Sequence, residues 1–109
     1  MKDEKSNFKD IAELCRSELC KRGQYGSSSD LYVDEKAKVA VIGVQTSASG
    51  SGHDTIYLIK EGGEPEAVLN AHFNRGRMWP TGISEDGKKF QYTVKNESGH
   101  FEKHECLIN

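Results

Sequence analysis

The sequence has few of the features that would place it in a specialised class of protein. Its three cysteines are an odd number without framework spacing, which argues against a disulfide-stabilised secreted domain. The longest apolar run, residues 39–44, is too short to cross a bilayer, and residues 1–5 lack the apolar segment typical of a secretory signal. The formal net charge of -2 provides no general attraction to nucleic acid or to an anionic membrane. These absences predict a cytoplasmic protein without a membrane partner.

Signatures of catalysis and of cofactor binding are also absent. The serines lie in small-residue loops instead of a Gly-x-Ser-x-Gly elbow, and no glycine-rich phosphate loop precedes a helix. Asp34, Glu35, Glu85 and Asp86 belong to turn segments, where carboxylates are solvated far more often than they are catalytic. We therefore expect neither enzymatic activity nor a cofactor.

The residues that are present predict one domain over 1–109, of the α+β or mainly β class. Apolar residues at helical spacing, with Asn7 as a cap and Gly23 as a stop, predict a helix over 7–22. Cys15 and Cys20 on this helix are expected to be core thiols. The serine-rich residues 24–30 read as a linker, and residues 31–109 as an antiparallel sheet region.

Runs of β-branched and aromatic residues divide this region into about six or seven strands of a β-meander. We expect strands within 31–33, 38–45, 55–60, 66–70, 90–95 and 101–108. Residues 46–53 are expected to be a flexible hairpin tip and 96–99 a hairpin turn, whereas residues 71–82 have no clear period.

Two segments of the chain align without a gap at a spacing of fifty residues, namely 33–44 and 83–94. Each has a polar turn that leads into a strand, and a repeat of this length is typical of propellers and arrays. Together with Ile56-Tyr57-Leu58-Ile59 and Gly62-Gly63-Glu64-Pro65, the segment Ser84-Glu85-Asp86-Gly87-Lys88 resembles the repeat of TolB-type, WD-like β-propellers. This resemblance implies a non-catalytic binding scaffold.

The sequence departs from that family pattern at two positions and in length. Glu85 stands where the family usually has proline, and Ile83 replaces the expected tryptophan. The chain could supply about one and a half blades, whereas a closed propeller needs about four. The Asp86-Gly87 turn is therefore interpreted as a hairpin nucleator that sets Phe90, Tyr92 and Val94 on one side of a small sheet.

The segment 73–80 contains the best candidate for a partner-binding site. If the segment is extended, four side chains project to one side: Phe73, Arg75, Arg77 and Trp79. Tryptophan and arginine are enriched in binding hot spots, because they combine a large contact area with directional donors. The same residue types also suit stacking on unpaired bases. The alternative is that Trp79 fills the core and the arginines are solvated.

Near the C-terminus, His100, Glu102, His104 and Cys106 would share one face of a strand. All four types can bind zinc, but neighbouring ligands on one straight strand lie too far apart to converge on one ion. An exposed polar face is the preferred interpretation, so no metal site is assigned.

The function predicted from these observations is that of a small non-catalytic protein-binding domain. It would be an inhibitor or immunity-type protein, or an accessory protein that occludes a larger partner. The alternative is a metal- or nucleic-acid-binding module that uses the C-terminal histidines or the Arg/Trp segment, although the net charge disfavours nucleic acid. Pairing of exposed sheet edges between copies of the chain is a further option.

Overall fold

The computed structural model describes residues 7–21, 28–48, 51–73, 77–96 and 98–108. Within these residues one helix precedes seven strands, as the sequence predicts. The elements are α1 (Phe8–Lys21), β1 (Ser28–Asp34), β2 (Val39–Ala48), β3 (Ser51–Lys60), β4 (Glu66–Phe73), β5 (Arg77–Ile83), β6 (Lys89–Lys95) and β7 (Phe101–Leu107). The fold is thus mainly β with one helix, and neighbouring strands in each sheet are antiparallel.

Helix α1 begins where the sequence predicts, because Asn7 caps it. The Asn7 Oδ1 accepts a hydrogen bond from the backbone N–H of Asp10 at 2.9 Å, which satisfies one of the donors left free in the first turn. The helix lies on one face of a four-stranded sheet ordered β1-β2-β3-β4. The core between them contains Phe8, Ala12, Leu19, Ala40, Ile42, Val44 and Ile59, with Cys15 packed against it.

A second sheet, ordered β5-β6-β7, packs on the opposite face of the four-stranded sheet. The core between the two sheets contains Val41, Ile56, Leu58, Met78 and Phe90. The sheets approach closely at Gly43, where an added Cβ would lie 2.2 Å from Pro80 Cδ. Glycine at this position therefore admits the proline ring. The result is a helix, a four-stranded sheet and a three-stranded sheet in successive layers.

The structure differs from three sequence-based expectations. Strand β1 begins at Ser28, so residues 28–30 of the expected linker belong to a strand, and residues 24–27 lie outside the described part. Strands β2 and β3 extend through most of the expected tip at 46–53, because the β2–β3 pairing continues as far as Ala48 and Ser51. Residues 71–82, which lack a period, contain the end of β4 and most of β5.

The two aligned segments at fifty-residue spacing form equivalent hairpins, one in each sheet. Asp34 is the register partner of Val39 in the first hairpin, and Ser84 N–H donates to the Lys89 carbonyl at 2.9 Å in the second. Each pair encloses four residues. The two turns differ in backbone conformation, because φ is positive at Lys38 in the first and at Gly87 in the second.

These two turns also touch each other. A Cβ added at Gly87 would lie 2.4 Å from the Cβ of Ala37.

Phe90 is fully buried, and Tyr92 and Val94 pack against the same inter-sheet core. The expected common face of Phe90, Tyr92 and Val94 is therefore confirmed.

In the described part of the chain, no helix is long and apolar enough to cross a membrane.

Candidate protein-binding surface

Strand β5 is held against the four-stranded sheet by polar side chains of β2 and β3. The carboxylate of Asp54 has no exposed surface. It accepts a hydrogen bond from Met78 N–H at 2.7 Å and one from Arg77 Nη2 at 2.7 Å. Gln45 Nε2 donates to the Met78 carbonyl at 3.2 Å. Both backbone polar groups of Met78 are therefore satisfied by side chains of the other sheet, which fixes where β5 lies.

This anchoring determines which way the neighbouring Trp79 points. Successive side chains on a strand alternate between faces, and Met78 and Pro80 are buried between the sheets. Trp79 therefore lies on the outer face of the three-stranded sheet, where it is partly exposed. No described element packs over this face.

Trp79 forms a compact aromatic cluster with Phe101. Their ring centroids are 6.1 Å apart at an interplanar angle of 79°, an edge-to-face contact that is a favoured geometry for aromatic pairs. Lys95 Nζ lies 5.9 Å from the Phe101 ring centroid, within the range of a cation–π contact. Phe101 is 63% exposed although it is apolar. We call Trp79, Lys95 and Phe101 the Trp79 patch.

The four residues expected to bind a partner have different positions. Trp79 lies on the outer face as part of the Trp79 patch. The Arg77 side chain is 30% exposed and its guanidinium pairs with Asp54. Phe73 ends β4, paired with Gly52, but its side chain lies outside the described part of the structure, as does the whole of Arg75.

Phe101 was missed as a site residue by sequence reasoning. The sequence contains one signal that could have indicated an exposed Phe101. This aromatic residue is followed by four polar residues, Glu102, Lys103, His104 and Glu105. The sequence does not reveal that only one strand, β6, separates β7 from β5. That proximity follows from the strand order β5-β6-β7.

The histidine of β7, His104, contacts an aromatic ring and a carboxylate. His104 stacks on Tyr92 with ring centroids 5.2 Å apart, and its Nε2 lies 3.3 Å from Glu102 Oε1. Among the described residues there is no group of three or more His, Cys, Asp and Glu side chains that could hold a metal ion.

A cavity of about 300 Å³ lies between α1, Tyr57 and the turn before β4, with Cys15 in its lining. Burial, followed by the nearby Glu18 and Glu64 carboxylates, raises the pKa of the Cys15 thiol. A raised pKa disfavours the thiolate, which is the reactive form of cysteine. The cavity therefore has no activated nucleophile at Cys15.

Comparison with known proteins identifies no relative. The chain matches no protein-family model, and neither a curated protein sequence nor a solved structure matches it.

Proposed function

We propose that this chain is a non-catalytic, cytoplasmic protein-binding domain, of the inhibitor or immunity type or an accessory protein, that occludes a larger partner. The partner would contact the Trp79 patch on the outer face of the three-stranded sheet. The three cysteines, all free thiols, are compatible with a reducing compartment.

The observation that carries the proposal is the edge-to-face pair of Trp79 and Phe101 on an open sheet face. Aromatic residues dominate binding hot spots, because they bury a large area and lose little conformational entropy. The contact between the two rings orients them before a partner arrives, which reduces the entropic cost of binding. Lys95 adds a charge beside the rings, so an acidic or carbonyl-rich rim on the partner would be complementary.

Arg77 contributes to this surface mainly by positioning. Its ion pair with Asp54 holds the start of β5 and thereby sets the position of Trp79 two residues later. Relation to a propeller repeat stays a proposal, supported by the equivalent hairpins at 33–44 and 83–94.

Affinity capture with single-site variants tests the proposal. Immobilised wild-type protein is expected to retain a specific partner from an extract of the cells that produce it, and Trp79→Ala and Phe101→Ala are each expected to weaken binding at least tenfold. Titration calorimetry with the captured partner measures that change. Titration of the partner's own activity then checks whether it is blocked at a one-to-one ratio.

Leu14→Ala is the matched control, because Leu14 is also a highly exposed apolar residue, 67% exposed, but lies on α1. The control should bind as the wild type does. Equal affinity of Trp79→Ala and wild type would contradict the assignment of this surface.

Single-stranded nucleic acid is the second candidate, favoured by one observation. An exposed aromatic ring beside a lysine, as in Phe101 and Lys95, can stack on a base while the charge meets phosphate. Fluorescence titration of Trp79 with oligonucleotides at low salt tests this candidate. Salt-dependent quenching that is lost in Phe101→Ala would favour nucleic acid over protein.

A further inference from the structure

We propose that two copies of this chain pair through strand β7, in antiparallel register centred on His104, to form a continuous six-stranded sheet. This inference does not rest on the proposed function, because it is argued from the backbone edge and the charges of β7. The two proposals share one side chain, that of Phe101, which belongs to the Trp79 patch and also lies at one end of β7. It follows from the contrast between the two edges of the three-stranded sheet and from the order of charges along β7.

The hydrogen-bond pattern identifies the backbone groups at the open edge. Ile108 N–H donates to the Lys88 carbonyl, and Asn96 N–H donates to the His100 carbonyl. Hydrogen-bonded positions alternate in an antiparallel pair, so the even-numbered residues of β7 face β6. The N–H and C=O groups of Phe101, Lys103, Glu105 and Leu107 therefore point away from the sheet. No other described strand pairs with them.

The opposite edge of the same sheet is blocked at Met78 and Pro80. There the outward backbone groups of Met78 are bonded to Asp54 and Gln45, and Pro80 has no N–H to offer. Unpaired strand edges are templates for pairing with another chain. Strand β7 is thus the edge of this sheet that remains available.

Charge selects one register from those that the backbone allows. Outward-facing backbone groups of one copy must meet outward-facing backbone groups of the other, so a symmetric pairing is centred on a residue and not between two. The registers that pair most of β7 (Phe101–Leu107) are centred on Lys103, His104 or Glu105. The first places Lys103 opposite Lys103 and the third places Glu105 opposite Glu105, and like charges directly opposite are destabilising. Centring on His104 places each Lys103 opposite the Glu105 of the second copy.

The same register also pairs the apolar ends of the strand. Phe101 lies opposite Leu107 of the second copy, and these side chains are 63% and 65% exposed in the single chain. Of the four large hydrophobic side chains that are exposed among the described residues, two are therefore at the ends of β7. In a symmetric dimer the contact between Phe101 and Leu107 occurs at both ends of the paired strands, so these side chains are covered in each copy.

A charge-swap experiment monitored by sedimentation velocity tests the pairing. The wild type is expected to show a concentration-dependent monomer–dimer equilibrium. Lys103→Glu and Glu105→Lys should each weaken the dimer at least about tenfold, because a single change creates two like-charged pairs in a symmetric dimer. The double variant Lys103→Glu/Glu105→Lys should recover most of the wild-type affinity.

Two controls make the outcome specific. Lys9→Glu gives the same change in net charge as Lys103→Glu, but on the exposed surface of α1, and should dimerise as the wild type does. Circular dichroism and thermal unfolding establish that each variant is folded. A wild type that stays monomeric at about millimolar concentration overturns the proposal, and so does a double variant that is weaker than both single variants.

Discussion

Arg77 and Asp54 form an ion pair across the junction of the two sheets, with Arg77 Nη2 2.7 Å from Asp54 Oδ1. The carboxylate has no exposed surface. Arg77 and Met78 N–H therefore donate the hydrogen bonds that water would make to an exposed carboxylate. Removing one partner of a buried ion pair is costly because it leaves the other charge uncompensated.

We predict that Arg77→Met lowers the free energy of unfolding by about 3 kcal/mol, the lower end of the range for broken buried pairs, since Arg77 is 30% exposed. Urea unfolding followed by Trp79 fluorescence measures the change. The double variant Asp54→Asn/Arg77→Met should cost less than the sum of the two single variants, because their side chains are in contact. Additive costs would contradict a direct coupling.

The close approach of the two sheets at Gly43 gives a second prediction. Gly43→Ala places a Cβ 2.2 Å from Pro80 Cδ, so the sheets must separate locally, and we expect a loss of about 1–3 kcal/mol in unfolding free energy. Pro80→Ala removes the ring atoms and should reduce the cost of Gly43→Ala when the two are combined. Denaturant unfolding of all three variants measures this.

Gly63→Ala is the matched control for Gly43→Ala. At Gly63 an added Cβ would have ordinary contact with the Lys60 carbonyl at 3.5 Å. Its effect should lie within about 1 kcal/mol of the wild type, in either direction. Equal losses at the two glycines would show that the contact with Pro80 is not the cause.

The contact between the two turns gives a third prediction. Gly87 has φ +70° and lies against Ala37, whereas Gly99 has φ +87° and open space around it. Gly99→Ala should cost about 1–2 kcal/mol from the left-handed backbone alone, and Gly87→Ala should cost more. Ala37→Gly should recover part of the difference. Thermal unfolding of the set measures the order, and an equal loss at both glycines would contradict the contact.

Asp86 gives a prediction about pH. The hydrogen bond from the Ser84 hydroxyl, followed by the one from Lys88 N–H, lowers the pKa of Asp86 below its ordinary value. The unfolded pKa is about 4. Asp86 therefore stabilises the fold above that pH, and this contribution disappears as the pH falls through the lower folded-state pKa.

Asp86→Asn should accordingly lower the melting temperature at pH 7 and reduce the dependence of the melting temperature on pH between about 5 and 2. Thermal scans across this range provide the measurement. Glu85→Gln removes the neighbouring exposed charge and is the control. The interpretation fails if Asp86→Asn and wild type lose stability in parallel on acidification.

Local signals in the sequence were sufficient for most of the fold. Asn7 followed by a helical apolar period specifies α1, and Asp86-Gly87 and Asn96 with Gly99 specify two hairpin turns through residues that tolerate positive φ. Strand β5 was missed because Pro80 and Gly82 interrupt any alternation. Proline is tolerated there because β5 is an edge strand with a register shift between Pro80 and Gly82.

The sequence by itself determined the helix, the hairpins and the common face of Phe90, Tyr92 and Val94, because each depends on residues close together along the chain. It also indicated Trp79 as a surface candidate. Only the tertiary structure placed Phe101 beside Trp79, Arg77 against Asp54, and the edge of β7 in the open. These relationships join residues more than twenty positions apart or depend on which strands become neighbours, and neither periodicity nor turn chemistry contains that information.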